Sequence, residues 1–117
     1  MELVISTEPR DRELFNYNAY VTEVIDGDTI KAVIDLGFGM TATQKLRFRG
    51  IDAPEIESGD GKEAKAYLEK KFFGGREIRV KTYKADKHDR YLVDVFVGTQ
   101  YLNQDLLDRR LAVRVNE

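Results

Sequence analysis

The chain has no cysteine and no tryptophan, and only two prolines and one histidine in 117 residues. Without cysteine there is no disulfide framework and no thiolate-ligated zinc, so the compartment is left open and cytoplasmic only by default. A second thing lacking is a long apolar run. The opening Met1-Glu2-Leu3-Val4-Ile5-Ser6-Thr7-Glu8-Pro9-Arg10 has neither the basic flank and apolar stretch of a signal peptide nor the length of a membrane span, so no membrane role is expected. Also missing is a surplus of charge of one sign. Nineteen Lys and Arg stand against 21 Asp and Glu, a net charge of -2. That balance argues against a polyanion binder working by bulk charge, so any nucleic-acid contact has to come from a local patch.

What is present suits one compact domain with a modest core: 42% of residues are hydrophobic and 34% charged. Residues 1–16 are polar and interrupted by Pro9, which marks an N-terminal arm, with Leu3, Val4 and Ile5 available as an edge strand. The domain then runs over 17–117.

From Tyr17 to Asp26, β-formers such as Tyr20, Val21, Val24 and Ile25 indicate a first strand, and Asp26-Gly27 a hairpin turn. Ile30, Ala32, Ile34 and Leu36 alternate with Lys31, Val33 and Asp35 in a second strand. After Gly37-Phe38-Gly39 comes a third, in which Leu46 and Phe48 alternate with Lys45, Arg47 and Arg49. Arg47 therefore points away from the side that carries Leu46 and Phe48. Glu57-Ser58-Gly59-Asp60-Gly61 reads as loop. Ala64, Tyr67, Leu68 and Phe72 recur at helical spacing, and Gly74-Gly75 stops that helix. Glu77–Tyr83 and Tyr91–Val97 are a fourth and fifth strand around a polar loop, Lys84–Arg90. Leu102, Leu106 and Leu107 suggest a short second helix, followed by strand-like Leu111–Val115. Three strands, a helix, two strands and a helix describe an all-β to α+β domain. So few strands hide their edges best by closing, which predicts a five-stranded OB-fold barrel with two packed helices.

The stretch from Val24 to Glu55 concentrates the chemistry. A hairpin brings Asp28 toward Asp52 and Glu55, with Arg47 on the wall between them. Carboxylates from separate segments form a hard oxygen site suited to calcium or magnesium rather than zinc. Arginine suits phosphate, because its planar fork meets two oxygens and stays charged. Plainer readings stand beside this one. Asp26-Gly27 is a common turn, and Arg47 and Arg49 could be solvated strand charges. His88 reads as a polar loop residue. Acid spacing after Asp26 and Asp28 does not fit an EF-hand loop, and Gly61-Lys62 is followed by Glu63 where a P-loop needs Ser or Thr.

The ordered set Val24-Ile25-Asp26-Gly27-Asp28-Thr29, Leu46-Arg47-Phe48-Arg49-Gly50-Ile51-Asp52-Ala53-Pro54-Glu55, Gly61-Lys62-Glu63-Ala64 and Asp86-Lys87-His88-Asp89-Arg90 resembles the staphylococcal nuclease family. The resemblance covers about residues 17 to 115, and several motifs in a fixed order are far more specific than one. It implies a calcium-dependent phosphodiesterase that cuts DNA and/or RNA, single-stranded for preference, to leave 3'-phosphate ends. Asp28 and Asp52 match the family's calcium-binding carboxylates, and Ala53 the position that supplies a backbone carbonyl. Glu55 matches the residue assigned as general base, and Arg47 and Arg90 the two phosphate-binding arginines. Lys87 matches a lysine near the nucleotide phosphates. His88 and Asn116 depart from the family by standing near positions of nucleotide-touching tyrosines, and His88 is kept as a substrate contact. The resemblance implies no protein partner. Two other readings remain open at this level. One is a catalytically inactive OB module that binds nucleic acid or a protein. The other is one domain of a larger protein.

Overall fold

In a computed structural model, the chain is described over residues 15–85, 87–88 and 90–117. Strand β1 (Asn16–Asp26) turns through Gly27-Asp28 into β2 (Thr29–Gly37), which turns through Phe38-Gly39 into β3 (Met40–Phe48). There follow β4 (Ile51–Asp52), α1 (Gly59–Lys71), β5 (Glu77–Ala85), β6 (Tyr91–Val97), β7 (Gln100–Tyr101), α2 (Leu102–Asp108) and β8 (Val113–Arg114). The five long strands lie in the order β3-β2-β1-β5-β6, and a parallel pairing of β3 with β6 joins the two ends. The result is a closed five-stranded barrel with two helices, as strand number and order indicate, and closure removes the exposed strand edges.

Period-two alternation in the sequence sorts the barrel interior from its surface. Ile30, Ala32 and Ile34 of β2, Leu46 and Phe48 of β3, Ile78 and Val80 of β5, and Val93, Val95 and Val97 of β6 are all buried. Leu68 of α1, Phe72 at its C-cap, and Leu102 and Leu106 of α2 join the same cluster. Each large side chain taken fully out of water contributes about 1.5–3 kcal/mol. Among the described residues, no helix is long and apolar enough to cross a membrane.

Two expectations shift. Helix α1 begins at Gly59, inside the stretch read as loop, because the Ser58 hydroxyl accepts the Gly61 N–H at 2.9 Å and caps the first turn. The expected N-terminal arm lies outside the described residues except for its last two. Of these, Asn16 already pairs with Lys81 of β5.

The fold holds the β3–β4 corner from two sides. Asn103 of α2, fully buried, donates to the carbonyls of Arg49 and Val93 at 2.9 and 3.1 Å and accepts the Val95 N–H at 3.0 Å. β4 pairs with β8, and the Val115 N–H donates to the Gly50 carbonyl at 2.9 Å. Both contacts fix the backbone that carries Arg47, Arg49 and Asp52.

Candidate active site

Three segments converge at the end of β3. The Gly27-Asp28 turn is tied to that strand by the Phe48 N–H, which donates to the Asp28 carbonyl at 2.8 Å. Packing sets its position further. A Cβ on Gly27 would lie 2.6 Å from the Ala64 Cβ and 2.7 Å from the Ala53 Cβ, so the turn is wedged between α1 and the segment after β4. Gly61 does the same for the Glu55 loop, since a Cβ there would overlap the Glu55 carbonyl oxygen at 1.8 Å. Helix α1 can approach the site this closely only through these two glycines.

Asp28 is 7% exposed. Its Oδ2 accepts the Ala53 N–H at 2.9 Å, and its Oδ1 accepts the Thr29 hydroxyl at 2.9 Å. Arg47 reaches Asp28 Oδ2 at 3.9 Å and Asp52 Oδ1 at 3.4 Å through the same nitrogen, Nη2. Its other terminal nitrogen, Nη1, donates to the Phe48 and Ile51 carbonyls at 2.9 and 2.8 Å and to Glu117 Oε1 at 3.2 Å. One edge of the guanidinium is thus clamped by backbone while the other faces two carboxylates. A side chain anchored this way keeps its direction without help from a ligand, which is the preorganisation that charge stabilisation needs.

Asp26 adds a third carboxyl. It accepts the Asp28 N–H at 3.0 Å, closing an Asx turn over Gly27. Burial, and next the adjoining Asp28 side chain, push Asp26 up to about 6. Asp28 is held below its ordinary value: burial opposes this, but hydrogen bonds from Asp26 and the Ala53 N–H, with the charge of Arg47, outweigh it. Asp28 is therefore the carboxyl that stays charged, and Asp26 the one that takes a proton first. Sequence reading treated Asp26 only as a turn residue. Its carboxyl matters because it adjoins Asp28, the acid that faces Arg47.

The structure brings together four of the expected site residues: Asp28, Arg47, Asp52 and Ala53. Glu55 follows three residues after Asp52 with its side chain exposed, and its carbonyl accepts the Ser58 hydroxyl at 2.7 Å. Arg90 is half-buried at the entry to β6, one residue before Tyr91, which pairs with Leu46. Lys87 and His88 are exposed in the turn before it. Glu117, outside the expected set, lies on the Arg47 guanidinium and also accepts the Gly50 N–H at 3.0 Å.

Among the described residues, no three Asp, Glu, His or Cys side chains form a metal cage. Asp28 and Asp52 are the side chains that could hold a cation, an oxygen-only set with no soft donor. Two carboxylates that leave the remaining positions to backbone and water suit a hard divalent ion.

Comparison with known proteins points the same way. A family model described as staphylococcal nuclease homologue matches residues 45–117. Two relatives from Oryza sativa subsp. japonica, named probable staphylococcal-like nucleases CAN2 and CAN3, are 33% and 32% identical over 63 residues, 54% of this chain and 17% and 16% of theirs. An uncharacterized 38.1 kDa protein of Capnoides sempervirens is 28% identical over 103 residues, 79% of this chain and 30% of its own. The chain spans less than a third of the length of these curated relatives. With the family model covering more than half of its residues, over a closed barrel and the Arg47 corner, the chain belongs to the staphylococcal nuclease family.

Proposed function

We propose that the chain is a calcium-dependent nuclease that hydrolyses phosphodiester bonds of single-stranded DNA or RNA and leaves 3'-phosphate ends. The observation that carries this reading is the Arg47 guanidinium, clamped on one edge and presented on the other between Asp28 and Asp52, in a chain of the staphylococcal nuclease family. Calcium, held by Asp28, Asp52 and the Ala53 carbonyl, would supply positive charge at a phosphoryl oxygen and lower the cost of making water a nucleophile. Arg47 and Arg90 bind the phosphate and take up charge as its equatorial oxygens become more negative. Glu55, exposed and adjacent, accepts the proton of the attacking water. Asp26 receives the Asp28 N–H and holds the turn so that Asp28 faces Arg47. Lys87 and His88 contact the strand near the scissile phosphate.

Support comes from the convergence of the segments, the family, and the presence of all five polar positions that the resemblance requires. The test is cleavage of labelled single-stranded DNA and RNA with calcium, with magnesium and with chelator, beside a Glu55→Gln/Arg90→Ala variant. Cutting restored by calcium, abolished in the variant and leaving 3'-phosphate ends is the expected result. A folded protein that binds strands but never cuts them would establish a binding-only OB module instead.

A further inference from the structure

The outer side of β5 and β6 gathers cations and aromatic rings beside the Arg47 corner. The Arg49 guanidinium lies 4.3 Å from the Tyr83 ring centroid, and that of Arg79 4.8 Å from the Phe96 ring. Lys81 Nζ is 5.7 Å from the Tyr83 ring. Phe96 in turn stacks on Tyr101, with centroids 5.2 Å apart and planes at 21°. Alternation explains the arrangement: Ile78 and Val80 go into the core, so Arg79, Lys81 and Tyr83 face outward, where Arg79 meets Phe96 and Lys81 meets Asp94 across the ladder.

Of these cations Arg49 is paired, with Asp94, while Arg79 and Lys81 are not paired among the described residues. Asp94 is occupied by Arg49 Nη2 at 3.1 Å, the Tyr83 hydroxyl at 2.8 Å and the Tyr101 hydroxyl at 2.7 Å. Among the described residues, Arg79 and Lys81 join no ion pair, and Glu77, on the same side of β5, bonds neither. In a chain of net charge -2 this is a local excess of positive charge. Its form is specific as well. The exposed Arg79 guanidinium, lying on the Phe96 ring, leaves its other face and its N–H edge for a ligand, so it can stack on a base and donate to a phosphate at once. An acidic peptide would need the charges but not the rings.

The face is continuous with the proposed site. Arg49 follows Arg47 by two residues, in the turn that begins where β3 ends at Phe48. The Arg49 N–H donates to the Val93 carbonyl at 2.8 Å, which brings Arg49 beside Asp94 on β6. From Arg47 the row crosses β6 to Arg79, roughly 15 Å away by strand spacing and rise.

We propose that this face, through Arg49, Lys81 and Arg79 with Tyr83 and Phe96, is a binding track for the nucleic-acid strand on one side of the cleaved bond. It rests on the nuclease reading above and extends the substrate contact beyond the scissile phosphate. The test measures binding of a labelled oligothymidylate dodecamer and trimer in chelator, where nothing is cut, by the parent and by Arg79→Ala/Lys81→Ala and Arg79→Glu/Lys81→Glu variants whose melting temperatures match it. Loss of two phosphate contacts should weaken the dodecamer about tenfold, more than the trimer, and lower the salt slope by about 1.4, at roughly 0.7 per phosphate on a single strand. The charge-reversed pair should lose more. Unchanged dodecamer affinity and slope in either variant, or equal affinity of the parent for polyglutamate, overturns the track. Cleavage of the trimer in calcium separates the two ideas. A parent that cuts while dodecamer binding ignores the substitutions keeps the nuclease and loses the track. A parent that never cuts but loses dodecamer binding on substitution keeps the track and loses the nuclease.

Discussion

Asp28 and Asp94 are both buried carboxylates facing an arginine from the β3 end of the barrel, yet their surroundings differ in kind. Around Asp94 the donors are sufficient: Arg49 approaches through two nitrogens, and the Tyr83 and Tyr101 hydroxyls complete the set. Asp28 has donors as well, the Ala53 N–H, the Thr29 hydroxyl and Arg47, but it shares its surroundings with two more acids. Arg47 Nη2 is divided between Asp52 at 3.4 Å and Asp28 at 3.9 Å, and burial first, then the Asp28 side chain, pushes Asp26 up to about 6. A carboxylate surrounded by donors belongs to the scaffold. One that shares its arginine with a second carboxylate is the better candidate to receive a cation.

That contrast fails first if Arg47 proves dispensable. We expect Arg47→Ala to cut strands about a hundred- to a thousandfold more slowly in calcium, the usual loss for one preorganised donor at a developing charge. A single-turnover assay at matched folded fraction measures it, and a rate near the parent's would remove Arg47 from the chemistry. Next in size is Asp94→Ala, which leaves Arg49 and two hydroxyls without their acceptor. It should lower unfolding free energy by about 2–3 kcal/mol in a denaturant titration, discounted because Arg49 is partly solvated. Little change in the denaturation midpoint would show that the network is decoration.

Gly61→Ala sharpens the positional side of the comparison. Its Cβ would meet the Glu55 carbonyl at 1.8 Å, so α1 or the Glu55 loop must move. We expect a cost of about 1–3 kcal/mol, as for other overpacked sites, with cleavage slowed beyond what the lost stability explains. Parent-like cleavage would show that Glu55 tolerates displacement.

The smallest effect is Tyr101→Phe, about 1 kcal/mol for the one hydrogen bond of a partly solvated phenol. Burial first, then the bond to Asp94, pushes the Tyr101 phenol from 10 up to about 12. The unfolded chain therefore gives up this proton before the folded one does. Tyr101 stabilises fully below pH 10, and its contribution falls as pH rises from there toward about 12. Melting temperatures followed across that window should decline less steeply in Tyr101→Phe than in the parent, and parallel curves would contradict the assignment.

Much of this was legible in the sequence, and the gaps have physical causes. Strict alternation through Ile30–Leu36 and Leu46–Phe48 gave the strands, because one barrel face is dry and the other wet. The ordered motifs brought Asp28, Arg47 and Asp52 together before any coordinates did. The start of α1 was hidden because Gly59 and Gly61 are poor helix formers, and the reason for Gly61 is a contact with Glu55 that no local pattern records. The pairing of β4 with β8 is too short to have a period. Asp94 stands as the single charge in Tyr91–Val97, a signal that something must satisfy it, but its partners come from the turn after β3, from β5 and from β7. Asp26 looked like a turn because it is one as well.

The most direct measurement is the melting temperature of the parent, Asp28→Asn and Asp94→Asn proteins across a calcium titration. A ligand that binds only the folded chain stabilises it by about 2.7 kcal/mol at a hundred times its dissociation constant. Calcium should raise the melting temperature of the parent and of Asp94→Asn, and leave that of Asp28→Asn where it began. An equal rise in Asp28→Asn, or none in the parent, would contradict the claim that the Asp28 cluster is built to receive a cation.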